Sequence, residues 1–413
     1  MSFLWSMDKP RLRNIQALSA EINGRKVLVF QDPERISPEA VMVPAELAPI
    51  LRYLDGNHTI RDIQAEFMRS TGELVDSEQL KRIVDELDRH LLLESEHLFQ
   101  HLAKISEAWE KTDVRPPALA GTAYPESRDD LCTLLDGFYT DPAGPGIPGQ
   151  CSGDDLKGIL SPHIDLKDNG PCYAHAYKAL AEHSDAETFF IIGTAHFEAM
   201  QTFIFCEKDF ATPLGIAETD REFIQLIKRR LKDRSSRTDL THRLEHSLEF
   251  QVLFLQHLFA GKKKFRIIPL LVGSFQHIIL SQTSPHEDPL IRDFIEVVRT
   301  TLSEQGKQVC FITGGDMAHL GPRYGDHEFY DAIREPDIKA DDRKMIEPII
   351  SADAEAFFQA VSEIQDRRHI CGLSPLYTML EIIKPERGEL LKWSCWFDKT
   401  TRSAVSFAAM AFY

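Results

Sequence analysis

The chain has no apolar run near the ~18 residues that span a bilayer, and MSFLWSMDKPRLRN at its start lacks the basic-then-apolar order of a secretion signal. The expectation is a cytoplasmic protein with no membrane contact. No CxxC pair occurs, and the seven cysteines stand apart at 132, 151, 172, 206, 310, 371 and 395. An odd, dispersed set suits a reducing compartment and argues against a disulfide scaffold or an iron–sulfur cradle. Absent too are the P-loop, GxSxG and HExxH, so P-loop nucleotide binding, serine hydrolysis and zincin chemistry lack their usual signatures. Basic residues are outnumbered: 47 Lys and Arg against 64 Asp and Glu leave a net charge of -17, which disfavours nucleic acid as a partner. The densest basic stretch, KKKFR at 262–266, reads as a solvated turn leading into a strand.

What is present fills more than one compact unit, since 413 residues exceed a single ordinary core. Residues 1–97 read as a small α+β unit. RKVLVF and AVMVP are strand candidates separated by a turn-rich QDPERISPE, and Thr59 can cap the helix IRDIQAEFMRSTG. Asp76 and Gln79 have capping-box spacing before an apolar stripe of Leu80, Ile83, Val84, Leu87 and Leu91. Residues 98–117 read as a helical linker ending at Pro116–Pro117.

From residue 118 to 413 apolar strands alternate with helices. The strand candidates are 156–160, 187–193, 201–206, 265–273, 309–315, 390–397 and 404–412, and helical periodicity falls at 172–182, 220–231, 245–259, 287–303 and 341–360. Several strands are almost wholly apolar, as in a sheet covered on both faces. The expected fold class is therefore α/β, with a central mixed sheet flanked by helices.

Three of these strands end alike. GILSPH puts His163 just past a strand, FFIIGTAHF does so with His196, and FITGGDMAHLG with Asp316 and His319. Ligand sites in open α/β sheets gather beyond the carboxyl ends of strands, which makes these residues candidates for one pocket. Gly193, Gly314 and Gly315 permit close backbone approach there. Cys371 in RRHICGLSPLYTMLEI precedes a helix start, where the dipole favours thiolate. LEHSLEF adds Glu245, His246 and Glu249, read either as a solvated helix start or as His246 and Glu249 lining the pocket. Imidazole and thiolate suit ferrous iron, copper or zinc rather than calcium or magnesium. On this chemistry His163, His196 and Cys371 form a plausible ligand set, with Asp316 and His319 placed to orient ligands or exchange protons.

Two resemblances follow from these motifs. YLDGNHTIRDIQAEF and LKRIVDELDRHLLLES resemble the PqqD-like winged-helix domain. That resemblance implies peptide binding for a partner radical-SAM enzyme through a strand edge, with His58 and residues 25–43 as places to look; packing against the second unit is the alternative. From LAGTAYP through SPHIDLKDNG, LEHSLEFQ, GGDMAHLGPRYG and CGLSP to RSAVSFAAMAF, the rest resembles the Memo family. This implies a fold like that of class III extradiol dioxygenases, which use non-haem Fe(II). It carries metal-binding positions onto His163, His196 and Cys371, and pocket positions onto Asp316 and His319. Cys371 departs from the carboxylate of the dioxygenases, and TAHF lacks the second histidine of many relatives. The resemblance further implies an AMMECR-type protein and a radical-SAM enzyme as partners in the AmmeMemoRadiSam system. The expected function is an accessory or redox component acting on a peptide or small molecule, with Fe(II) first and Cu or Zn as alternatives. The competing readings are an iron-dependent extradiol-type dioxygenase and a zinc-dependent hydrolase.

Overall fold

The computed structural model describes residues 8–32, 35–37, 41–153, 155–196, 201–232, 239–259 and 261–413. Parts of QDPERISPE, the alanine of AVMVP, and Phe197 of TAHF lie outside these residues. The chain divides into Met1–Lys111 and Thr112–Tyr413.

In the first unit β1 (Gln16–Ile22), β2 (Arg25–Gln31) and β3 (Val41–Pro44) form an antiparallel sheet in that order. The β1–β2 hairpin turns on Asn23 and Gly24, both at positive φ (52° and 74°), the turn that Asn-Gly favours between right-twisted strands. Helices α1 (Ala48–Leu51), α2 (Ile60–Thr71), α3 (Ser77–Arg89) and α4 (Glu96–Glu110) follow. Thr59 closes a capping box on α2, accepting from the Asp62 amide at 3.2 Å while Asp62 accepts from the Thr59 amide at 2.9 Å. Leu80, Val84 and Leu87 of α3 are buried with Ile50, Ile63 and Leu92 in one core. The stretch read as a linker divides: α4 belongs to the first unit, and Val114–Arg115 to the second.

The second unit runs β4 (Val114–Arg115), α5 (Arg128–Thr140), β5 (Gly158–Ser161), α6 (Leu166–His183), β6 (Thr188–Thr194), β7 (Phe203–Phe205), β8 (Asp209–Thr212), β9 (Gly215–Thr219) and α7 (Arg221–Leu231). It continues with α8 (His246–Phe259), β10 (Arg266–Val272), α9 (Gln276–Ser281), α10 (Pro289–Gln305), β11 (Val309–Gly314) and β12 (His319–Leu320). Helices α11 (Glu335–Ile350), α12 (Ala354–Glu363) and α13 (Leu373–Ile383) precede the hairpin β13 (Gly388–Asp398) and β14 (Ser403–Phe412). The periodicity over 341–360 spans two helices, because Ala352 turns at φ 56° and Asp353 caps α12 by accepting from the Ala356 amide.

Among the described residues these strands make one mixed sheet, ordered β12-β14-β5-β11-β6-β10-β9-β8-β4, with β13 on β14 and β7 on β10. Strands β5, β11, β6 and β10 are parallel, and β14 runs antiparallel to β5. Both faces of β6 are covered. Phe190 and Ile192 join the core cluster that includes α13, whereas Phe189 stacks on Phe259 of α8 with ring centroids 5.5 Å apart. This two-sided burial explains the unbroken apolar run of the strand. Its consequence for the site is directional: parallel strands deliver the segments after β5, β11 and β6 to the same edge, side by side. No helix among the described residues is long and apolar enough to cross a membrane.

Candidate metal centre

Ser161, Gly314 and Gly193 stand level across β5, β11 and β6. His163 and Asp316 each lie two residues beyond this line, and His196 three. The adjacent loops interlock. The His163 amide donates to Asp316 Oδ1 at 3.0 Å and the Gly372 amide to the Asp316 carbonyl at 3.0 Å, while Thr194 Oγ1 donates to the Cys371 carbonyl at 2.7 Å. A Cβ on Gly315 would stand 2.7 Å from Gly372 Cα, so the loop bearing Cys371 can press against the loop bearing Asp316 only with glycine at that crossing.

Helix α8 ties the edge together. It is buried on every side except at His246 and His257, as befits a helix inside a core. At its start Ser247 Oγ donates to the Thr194 carbonyl at 2.9 Å, and one turn on Gln251 Nε2 donates to the Pro162 carbonyl at 2.8 Å. Glu245, immediately before the helix and 1% exposed, accepts from the Ser247 amide at 3.0 Å. The same carboxylate accepts from the His196 amide at 2.9 Å, and lies 3.0 Å from His196 Nδ1 and 3.2 Å from His246 Nδ1. His163 Nδ1 is held by the Gly314 carbonyl at 3.1 Å. Each ring is thus anchored through Nδ1, which leaves Nε2 as the free nitrogen.

The donors converge. His163, His196 and His246 place ligand atoms within 4.8 Å of one another, and so do His163, Asp316 and Cys371. Cys371 Sγ lies 3.0 Å from His163 Nε2, and Asp316 Oδ2 lies 3.6 Å from it. Among the described residues, the set expected from the sequence, His163 with His196 and Cys371, is not one of these groups. Two ligands on one tetrahedral ion sit about 3.3–3.8 Å apart, so modest side-chain rotations would close either group on an ion. Anchored imidazoles and a sulfur fit a transition-metal ion.

Burial sets the charge states. It drives His163 well below the ordinary imidazole range, with the neighbouring His196 and His246 adding to the effect. Burial also lowers His196, yet the Glu245 charge and hydrogen bond outweigh this and leave it raised. Asp316 is pushed up to about 7 by burial against the lowering effect of the His163 and Ile164 amides. Burial, then the Asp316 charge, lifts the Cys371 thiol well above its usual value. The helix start therefore does not make Cys371 a thiolate by itself, contrary to the sequence expectation; a cation beside it would reverse the balance.

These groups face a cleft of about 750 Å³ that Lys167, Arg323, Tyr324 and Trp396 also line. His319 reaches it with Nδ1 bound to the His369 carbonyl at 3.0 Å, and burial brings its pKa down to about 4. Glu249, expected in the pocket, lies elsewhere. Wholly buried, it pairs with Arg115 at 2.5 Å, accepts from the Ala118 and Leu119 amides at 2.9 and 3.0 Å, and takes a hydrogen bond from Tyr124 Oη. Its role at the centre falls instead to Glu245, whose position directly before His246 was the available signal.

A family model described as Memo-like protein matches residues 115–411. A MEMO1 family protein of Aquifex aeolicus is 28% identical over 388 residues, covering 93% of this chain and 96% of its own length. That alignment is longer than the whole second unit, so it takes in part of the first. A MEMO1 family protein of Methanopyrus kandleri is 29% identical over 313 residues, 72% of this chain and 98% of its own. One of Thermus thermophilus is 25% identical over 347 residues, 84% and 97% respectively. The matched span contains each strand, loop and helix start that builds the cleft, and the chain belongs to the Memo-like protein family.

Proposed function

We propose that the second unit binds a transition-metal ion, Fe(II) first and Cu or Zn as alternatives, and serves as an accessory or redox component of a radical-SAM-associated modification system. The observation that carries the ion-binding part is the anchoring of three imidazoles through Nδ1 around a common point. His163 would hold the ion with partners drawn from His196, His246, Asp316 and Cys371. A bound ion supplies Lewis acidity, and one-electron chemistry if it is iron or copper. The chain's own groups do the rest: Glu245 fixes the rings, and His319 offers an unanchored Nε2 to exchange a proton with a bound molecule. Anaerobic purification followed by metal analysis tests this. A stoichiometric ion is expected, and its loss in the His163→Ala, Cys371→Ala double variant; full occupancy surviving both substitutions would sink the assignment.

The first unit supports a peptide-binding role on the PqqD-like, winged-helix resemblance. Its three-stranded sheet has β1 and β3 at its edges, and strand addition would give a peptide backbone hydrogen bonds without demanding one sequence. His58 is the less apt contact, because its Nδ1 is 3.0 Å from Asp55 Oδ1 and its ring packs edge-on against Tyr53. The partners proposed are a radical-SAM enzyme and an AMMECR-type protein. Pull-downs with the full chain should recover them, and a chain lacking residues 1–111 should recover less; equal recovery removes the role of this unit.

An extradiol-type dioxygenase is the second reading, favoured by His319 lining the same cleft as the donors with Nδ1 rather than Nε2 taken up by the His369 carbonyl. A zinc-dependent hydrolase would use the same donors to activate water.

A further inference from the structure

The basic stretch KKKFR leaves α8 and enters β10 at the starts of the parallel strands, the edge of the sheet away from the metal centre. Along α8, Gln256 lies about 15 Å from His246 at the helical rise. Here a cavity of about 280 Å³ opens between Arg128 at the start of α5, residues 214–218 of the β8–β9 hairpin, the last turn of α8 and residues 263–265. That is just under the ~300–1,000 Å³ of ordinary small-molecule sites. Gln256 is 7% exposed and held by Thr212, whose Oγ1 accepts from the Leu214 amide at 3.0 Å and gives its own proton to Gln256 Oε1. The Gln256 Nε2 group, with two protons to donate, has no partner among the described residues; it is not sealed in protein either, so it faces the cavity that Gln256 lines. Two cations of the lining are uncommitted as well. Lys263 gives its ammonium to the Ala186 carbonyl at 2.7 Å and lies 4.3 Å over the Phe259 ring, but among the described residues the side chains of Arg128 and Lys264 meet neither an acid nor an acceptor. Glu218 is the acid in the lining, so three cations against one carboxylate leave a local excess of positive charge on a chain whose total is -17.

We propose that this cavity binds a small organic phosphate monoester, its phosphate oxygens held by Arg128, Lys264 and the Gln256 amide and its organic group lying on Ile216, Phe259 and Phe265. A monoester carries about −1.5 to −2 near neutral pH, which answers both free cations, whereas a carboxylate would answer one. The guanidinium fork takes two oxygens, the ammonium acts as a point charge, and the amide adds directed N–H groups. Glu218 opposes the anion, so binding depends on both cations together. The apolar wall has a face to offer: Ile216 is 60% exposed, and the Phe259 and Phe265 rings stand 5.9 Å apart, centroid to centroid. The site binds and transfers nothing, and it does not rest on the ion-binding reading above.

The test titrates the full chain, stripped of metal so that no ion in the cleft can take the anion, with phenyl phosphate, inorganic phosphate and benzoate at constant ionic strength, read by calorimetry. One phenyl phosphate per chain is expected, bound more tightly than inorganic phosphate, which has nothing to lay on the apolar wall, and more tightly than benzoate. Arg128→Ala and Lys264→Ala should each weaken it about 10–100-fold, the scale of a charge-assisted hydrogen bond. Both residues are exposed, so their loss leaves the core untouched, and a thermal melt of each variant checks this. Glu218→Gln should tighten binding by removing the opposing charge. Gln256→Glu, isosteric and still able to accept from Thr212, puts a charge of the wrong sign in place of the free donors and should abolish it. Undiminished binding in an Arg128→Ala, Lys264→Ala double variant means that the phosphate sits elsewhere on the chain and overturns the proposal, as does the absence of saturable binding in the wild type. Inorganic phosphate or benzoate binding as tightly as phenyl phosphate overturns the assignment to a monoester.

Discussion

Replacing Arg115 by methionine is expected to destabilise the second unit by about 3–5 kcal/mol, the scale of stranding one charge of a buried ion pair. Arg115 and Glu249 are both wholly buried. The guanidinium spends its remaining donors on the His242 carbonyl at 2.6 Å and the Glu245 carbonyl at 2.8 Å, and lies 4.9 Å over the Phe210 ring. Methionine fills much of the volume but leaves the Glu249 carboxylate without a counter-charge. A second substitution separates charge from hydrogen bonding. Arg115→Met with Glu249→Gln should recover part of the loss, because glutamine removes the stranded charge and keeps an acceptor for the Ala118 and Leu119 amides. Recovery should be incomplete, since one amide oxygen cannot serve both amides and Tyr124 Oη as two carboxylate oxygens do. Urea unfolding of the three proteins measures this; a double variant no more stable than the single one would show that the buried charge is not the source of the cost.

Arg115 also shows why part of the molecule is illegible in sequence. It sits beside Pro116–Pro117, where local rules read a linker, and every residue its guanidinium donates to except Pro116 is more than 120 residues away. The strands were readable because two-sided burial makes them continuously apolar, and the site was readable at their ends because parallel strands can gather only those loops. His163, His196, Asp316 and His319 were reached in this way, and Cys371 from its place before a helix start. Glu245 and Glu249 are not told apart in sequence, because helical periodicity reads from residue 245 and puts both on the helix. The helix begins at His246, so Glu245 precedes it and turns to the His196 and His246 rings while Glu249 turns to Arg115. The β1–β2 hairpin was missed although EINGRKV carries the Asn-Gly turn signal, since ALSAEI alone has little β-branched character to announce a strand.

Glu245→Gln should weaken ion binding by about 10–100-fold, the range for groups that orient a ligating histidine, and it should also change the pH dependence of the metal-free protein. Burial raises Glu245, but the His196 charge and the hydrogen bonds from both histidines overcome this and hold it well below the usual carboxylate range. His196 is correspondingly raised above its ordinary 6.5. A raised histidine stabilises the fold fully below that ordinary value and loses its contribution as pH climbs through the folded one; a depressed carboxylate stabilises above its ordinary 4.5 and fails as pH falls through its folded value. The pair is one interaction, and it acts in full between roughly pH 4.5 and 6.5. Metal-free wild type should therefore lose thermal stability above that window, and Glu245→Gln, with only the weaker Asp316 charge left to act on His196, should lose less over the same rise. An ion requires neutral imidazole, so loading the wild type should remove the difference. Parallel melting profiles for the two metal-free proteins from pH 6 to pH 9 would mean that Glu245 acts on the rings through hydrogen bonds alone, with its charge contributing nothing.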